Sequence, residues 1–198
     1  HLRNQAYLTK GIRIDIEDVR DVQKKSEAHK ARRHSFYFDS GIVSFVKFIN
    51  RDKEVKNVVP VYVEQTRDNI YVEMSLQYTD SYKERLYAFA NNIANPEGGT
   101  HVAGFRAAVT RCLNTYARTA KILREKDKNL TAEDVQEGLT CVLNVKLPNP
   151  QFEGQTKGKL GNPEVKGAVQ GVVTEGLTEY LEQNPKDAKA MIEKCLLT

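Results

Sequence analysis

Two apolar periods in one chain decide what it can fold into. Across 69–78, Ile70, Val72, Met74, Leu76 and Tyr78 alternate with polar or weakly polar positions, the period of a strand with one buried face. Across 100–124, Val102, Phe105, Val109, Leu113, Tyr116, Ala120 and Leu123 recur at steps of three or four, the stripe of a long amphipathic helix. A chain that carries both, in that order, has to lay helix on sheet.

The remaining segments fit the same plan. Residues 11–17 alternate Ile12, Ile14 and Ile16 with charged residues and read as a strand, while 20–34 are charged, aperiodic and read as an exposed loop or linker. A helix is expected over 42–50, capped by Asp39 or Ser40. Strands are expected at 58–65, 69–78 and 85–92, adjacent in sequence and therefore read as an antiparallel meander. Thr131 opens a short helix with a capping-box start, 139–145 is a buried strand, Pro163 begins a helix to about 182, and Asn184-Pro185 separates it from a last helix. The fold class is α+β, a mostly antiparallel sheet with helices on one side.

Bulk properties exclude more than they select. The 198 residues suit one domain, or one domain and part of another, and 40% hydrophobic with 28% charged residues is ordinary for a water-exposed globular chain. No apolar run is long enough for a membrane span. The chain opens on His1 rather than Met and is expected to belong to something longer. Cys112, Cys141 and Cys195 form no CxxC pair and His1, His29, His34 and His101 form no ligand-spaced cluster, so no metal site is expected and the thiols are expected reduced, as in a cytosol.

Three stretches offer chemistry. The first is the polar loop 154–159, Gly-Gln-Thr-Lys-Gly-Lys, between a strand-like and a helix-like run. Lys157 brings an ammonium and Gln155 an amide on a glycine-flanked tip, donors suited to a phosphate approached from outside its pocket. The alternative is a solvated turn, and the spacing is not that of a Walker loop. The second is Gly98-Gly99-Thr100-His101, which reads as a tight bend before a helix in preference to an anion-accepting turn. The third is the helix 100–124, which holds no acid and carries Arg106, Arg111, Arg118, Lys121 and Arg124 away from its apolar stripe. A one-sign face suits a polyanion; a plain solvated face is the alternative. Motifs of a complete catalytic site are absent: no GxSxG, HExxH or GxGxxG.

Several runs carry a family resemblance: NNIANPEGGTHVAGFRAAVTR at 91–111, EDVQEGLTCVLNVKLPNPQFEGQTKGKLGN at 133–162 and EVKGAV at 164–169. They resemble the B subunits of bacterial DNA gyrase, and the corresponding subunit of topoisomerase IV is similar. The likeness covers almost the whole chain. It implies that 1–34 are the C-terminal strands of the family's ATP-binding domain plus a linker. It implies that 35–198 are the transducer domain, a fold like domain 2 of ribosomal protein S5, ending at the start of a long connecting helix.

The resemblance also implies roles. In the family the Gln and Lys of the QTK motif, here Gln155 and Lys157, reach the γ-phosphate of ATP in the neighbouring domain, with Lys157 also stabilising the charge that develops in phosphoryl transfer. The arginine of GFRAA, here Arg106, lines the passage for the transported DNA segment. Arg111, Arg118 and Lys121 are expected to face the same DNA. The whole enzyme would be an ATP-hydrolysing, cytoplasmic bacterial topoisomerase that couples ATP to strand passage and negative supercoiling. It would use ATP and magnesium and work with double-stranded DNA, the gyrase A subunit and a second copy of the gyrase B protein. The segments that bind ATP and Mg²⁺ and that cleave DNA are missing here, so this stretch is expected to bind no cofactor and to be inactive alone. A topoisomerase IV subunit, or an S5-like nucleic-acid module without nucleotide sensing, are the competing readings.

Overall fold

A computed structural model describes residues 2–18 and 32–197. The chain divides into two compact units, 1–45 and 46–198. The expected loop at 20–34 falls largely outside the described residues, and 32–34 belong to a strand.

In the first unit, α1 (Leu2–Leu8) precedes β1 (Arg13–Asp18), which pairs antiparallel with β2 (Arg32–Tyr37) from Arg13 opposite Tyr37 to Asp18 opposite Arg32. The opening residues, expected as strand by resemblance, are therefore helix over Leu2–Leu8. Its last turn explains this: Ala6, Tyr7 and Leu8 are buried together, and the Tyr7 ring stacks on Phe38 at 3.7 Å and on Phe45 at 4.7 Å. A helical turn presents those three consecutive residues inward, which an alternating strand cannot do.

The second unit takes the end of α2 (Ile42–Asn50) and then a five-stranded sheet. Its strands are β3 (Val61–Arg67), β4 (Ile70–Tyr78), β5 (Arg85–Ala90), β6 (Ile93–Ala94) and β8 (Leu139–Lys146), in the order β3-β4-β8-β5-β6. Asp68 and Asn69, both with positive φ (52° and 61°), make the two-residue turn between β3 and β4. The expected meander is interrupted: β8 lies between β4, which it meets antiparallel, and β5, which it meets parallel. Alternation within a strand says which face is buried but nothing about its neighbour. The run most apolar on both faces, 139–145, takes the centre, where both faces are covered.

Ile70, Val72, Met74, Leu76 and Tyr78 of β4 and Leu139, Cys141, Leu143 and Val145 of β8 form one core face. Helices α3 (Thr100–Thr119), α4 (Ala132–Gln136), α5 (Pro163–Gln183) and α6 (Pro185–Cys195) all bury residues in that same core. The mostly antiparallel α+β architecture with helices over one face is the one expected from the sequence. Thr131 makes the expected capping box with Asp134, and the buried Tyr78 hydroxyl donates to the Val135 carbonyl at 2.6 Å. Where α3 crosses α5, a β-carbon on Gly104 would run into the Lys166 carbonyl oxygen, so only glycine allows the two backbones to approach this closely. Cys112, Cys141 and Cys195 are free and buried, and burial pushes the Cys195 thiol up to about 12.

The opposite face of the sheet is polar yet partly buried. Asn50 at the end of α2 donates to Gln77 at 3.1 Å and accepts from Thr140 at 2.9 Å. Glu64 and Glu73 stand directly opposite on β3 and β4, and the Tyr62 hydroxyl lies 2.7 Å from one and 3.0 Å from the other. A phenol has one hydrogen to give, so both contacts are satisfied when Glu73 carries a proton. Burial raises the Glu73 pKa, the hydrogen bond from Tyr62 opposes it, the nearby Glu64 charge adds to it, and Lys146 and Tyr71 hold it back. A raised folded-state pKa means that this stabilisation is present below the ordinary carboxylate value and is lost as pH rises through the folded value. Glu73→Gln keeps a hydrogen on the side chain at every pH. Its thermal midpoint is expected to gain on the parent as pH rises above the ordinary carboxylate range; a difference that does not change with pH would contradict the assignment.

Candidate functional site: the loop between β9 and β10

A second, small sheet carries the polar loop. Its strands are β7 (Gly98–Gly99), β9 (Phe152–Glu153) and β10 (Lys159–Leu160), in the order β7-β10-β9. The loop thus joins two antiparallel strands, where the sequence led us to expect a strand before it and a helix after it. Two-residue strands carry no readable period, which is why they escaped notice.

Gln155, Thr156 and Lys157 are exposed at the tip. Gly154 (φ 76°) and Lys157 (φ 55°) both take the left-handed conformation, and the Lys157 amide donates to the Gly154 carbonyl at 3.3 Å. Below the tip the stem is pinned on two sides. Asn95 Nδ2 donates to the Lys157 carbonyl at 2.7 Å and the Glu97 amide to the Gly158 carbonyl at 2.9 Å. Farther along, Asn162 accepts the Gln151 amide at 2.6 Å and donates to the Asn149 carbonyl at 3.1 Å. Lys159 turns back to Glu153 at 3.0 Å. The Lys157 ammonium lies 5.9 Å from the centre of the Phe152 ring.

The glycine pair forms the parallel partner of β10 and leads straight into α3, with Gly99 as N-cap. The expected bend is there, and it is also a strand. Beside it runs a groove of about 610 Å³ whose walls include Glu84, Asn95, Glu97, Thr100, Arg106 and Lys166. His101 is fully buried at the start of α3, and burial pushes its pKa down to about 4, so the ring packs as a neutral imidazole.

The basic residues do not share one continuous helix face. Helix α3 ends at Thr119, and Lys121, with φ 56°, closes it. The Ile122 amide reaches the Ala117 carbonyl at 2.9 Å and the Lys121 amide the Arg118 carbonyl at 3.1 Å, a Schellman ending. Lys121 and Arg124, expected on the helix 100–124, therefore lie beyond its end. Arg106 is also not isolated from acid: its guanidinium grips Glu84 at 2.5 and 3.3 Å, an acid contributed by the segment before β5. Arg111 is exposed and donates to Thr174 on α5 at 3.1 Å.

Arg118 spends its donors within the chain. It bonds the Arg124 carbonyl, the Asp127 carbonyl at 2.6 Å and Asn129 at 2.8 and 3.1 Å, holding the loop after α3. Arg118→Ala is expected to cost about 1–2 kcal/mol and to speed amide exchange across 124–130. Unchanged exchange there would show that the clamp is idle.

Asn95 and Glu84 were not singled out from the sequence. Asn95 could have been noticed only as part of an asparagine-rich turn ending in Asn-Pro, a signal that marks a turn and not a task. Among the described residues no group of three or more His, Cys, Asp or Glu side chains is placed to hold a metal ion, and no helix is long and apolar enough to cross a membrane.

Comparison with known proteins gives the family of the chain. A solved structure of the 43K ATPase domain of Thermus thermophilus gyrase B, in complex with an aminocoumarin, superposes with a TM-score of 0.87 at 38% identity, over 98% of this chain and 50% of that one. The ATP-binding domain of Francisella tularensis topoisomerase IV superposes with a TM-score of 0.78 at 26% identity, again over 98% of this chain and 50% of that one. The class is that of type II topoisomerase ATPase subunits. The family model for DNA gyrase B matches residues 41–198, and the chain belongs to that family. The DNA gyrase B protein of Clostridium acetobutylicum is 49% identical over 99% of this chain, which spans 30% of that protein. Its counterpart from Bacillus mycoides is 44% identical over 98% of this chain, which spans 46% of it.

Proposed function

We propose that this chain is the transducer segment of the ATPase subunit of DNA gyrase, with 1–34 closing the ATP-binding domain and 35–198 forming the transducer. In the complete enzyme it couples ATP binding and hydrolysis to passage of double-stranded DNA and negative supercoiling in the bacterial cytoplasm. Its partners are the gyrase A subunit and a second copy of the gyrase B protein. Lys157 and Gln155 donate to the γ-phosphate held in the neighbouring ATP-binding domain. The supporting observation is geometric: Lys157 stands exposed at the tip of a loop whose backbone is fixed from below by Asn95 and Glu97. An ammonium on a fixed support can favour one domain arrangement when a terminal phosphate is present and release it when the phosphate is gone.

The ammonium of Lys157 and the amide of Gln155 are donors that fit phosphate oxygens, and the magnesium of the complete enzyme would be held with the nucleotide in the ATP-binding domain. Arg106, Arg111 and Lys121 supply positive charge towards the transported DNA, and Arg118 adds charge while its donors hold the loop. Lys157→Ala in the complete gyrase B protein should strip ATP turnover; near-normal ATPase and supercoiling rates would end this reading. The S5-like nucleic-acid module is the second reading, favoured by the basic residues of α3. Salt-dependent DNA binding, with an ATPase cycle indifferent to loop substitutions, would select it.

A further inference from the structure

We infer that Asn95 is a positioning residue for Lys157, acting on its backbone and not on the nucleotide; this rests on the reading of Lys157 given above. Lys157 is held at φ 55°, a conformation that a residue with a β-carbon disfavours. Something has to hold it there, and the side-chain donor to its carbonyl is the Asn95 amide at 2.7 Å. Asn95 is itself fixed. It is 2% exposed, its main-chain amide donates to the Ala88 carbonyl at 2.8 Å, and its carbonyl accepts from Gly98 at 2.9 Å. As the residue before Pro96 it also has little backbone freedom.

The main chain of the same turn holds the next carbonyl, through Glu97 and Gly158 at 2.9 Å. Two consecutive carbonyls of the loop are thus anchored on one turn. That turn continues through Gly98 and Gly99 into α3, whose second turn carries Arg106. Asn95 supplies the only side-chain bond among the described residues in this joint between the lysine loop and the helix. Its donor fixes where the Lys157 side chain leaves the loop, so that the ammonium meets a terminal phosphate without a search. An aliphatic side chain of similar size would fill the same space and leave the Lys157 carbonyl unheld.

The test is nucleotide affinity of the complete gyrase B protein, comparing a non-hydrolysable ATP analogue with ADP, for the parent, Asn95→Leu, Lys157→Ala and the double variant. ADP lacks the group that Lys157 reads, so its affinity should stay unchanged in all four. Asn95→Leu should lose about tenfold of the preference for the triphosphate, the effect of one hydrogen bond. The double variant should lose no more than Lys157→Ala alone, because Asn95 acts through Lys157. If Asn95→Leu instead disrupts the domain, Gln155 is displaced as well and the double variant loses more than Lys157→Ala, which overturns the inference. Retention of the preference in Asn95→Leu, alongside its loss in Lys157→Ala, also overturns it. Retention in Lys157→Ala overturns the phosphate-sensing reading itself.

Discussion

Gly99→Ala is expected to lower the thermal midpoint by about 10 °C or more. Two costs combine. Gly99 has φ 132° and ψ −161°, a region that only glycine occupies freely and that costs about 1–3 kcal/mol for other residues. Its added β-carbon would also collide with the Leu160 carbonyl oxygen and lie 2.5 Å from the Leu160 amide nitrogen. Those are backbone atoms of the paired strand, and they cannot turn aside as a side chain can. Relief requires β7 to separate from β10, which loosens the support of the lysine loop as well as the start of α3. Gly158→Ala is the control: the atoms nearest its β-carbon belong to the Glu97 side chain, with the carboxylate at 2.6 Å, and that chain end can swing away. Calorimetry should show the large drop for the first variant and a small one for the second. Equal midpoints would mean that the two strands are not held as described.

Lys157→Ala in the complete gyrase B protein is expected to lower ATP turnover by about a hundredfold or more and supercoiling with it. A charge-assisted hydrogen bond to phosphate contributes about 1.5–3 kcal/mol in the ground state. The contribution grows where negative charge shifts among the phosphate oxygens during transfer, and a preorganised cation there needs no reorganisation. Lys157→Arg is not a conservative repair. A planar guanidinium reads a phosphate through two parallel donors, whereas the ammonium acts as a compact charge. Partial rescue at most is expected, and steady-state ATPase measurement on the three proteins decides it.

Much of the fold was legible because periodicity reports burial. The β4 alternation, the α3 stripe as far as Tyr116, the Thr131 capping box and Pro163 at the start of α5 all carry local signals that the structure keeps, whereas Ala120 and Leu123, expected to continue the stripe, lie beyond the end of the helix. What escaped was non-local. The insertion of β8 between β4 and β5 joins segments far apart in sequence, and no local pattern encodes that partner. The end of α3 depends on a lysine taking a conformation usually given to glycine, with the Lys121 and Ile122 amides bonding back to the Arg118 and Ala117 carbonyls. Arg106 read as an unpaired base because its acid, Glu84, lies outside the helix. The candidate loop was found for its lysine and glutamine, while its anchor, Asn95, looked like ordinary turn composition. Family resemblance supplied the role of Gln155 and Lys157; the residues alone left a solvated turn open.

A structure of the complete gyrase B protein with a non-hydrolysable triphosphate analogue tests the central claim most directly. The Lys157 ammonium should leave the Phe152 ring and lie about 2.7–2.9 Å from an oxygen of the terminal phosphate. An ammonium still resting over that ring, 5.9 Å from its centre as here, with the nucleotide in place, would contradict the account.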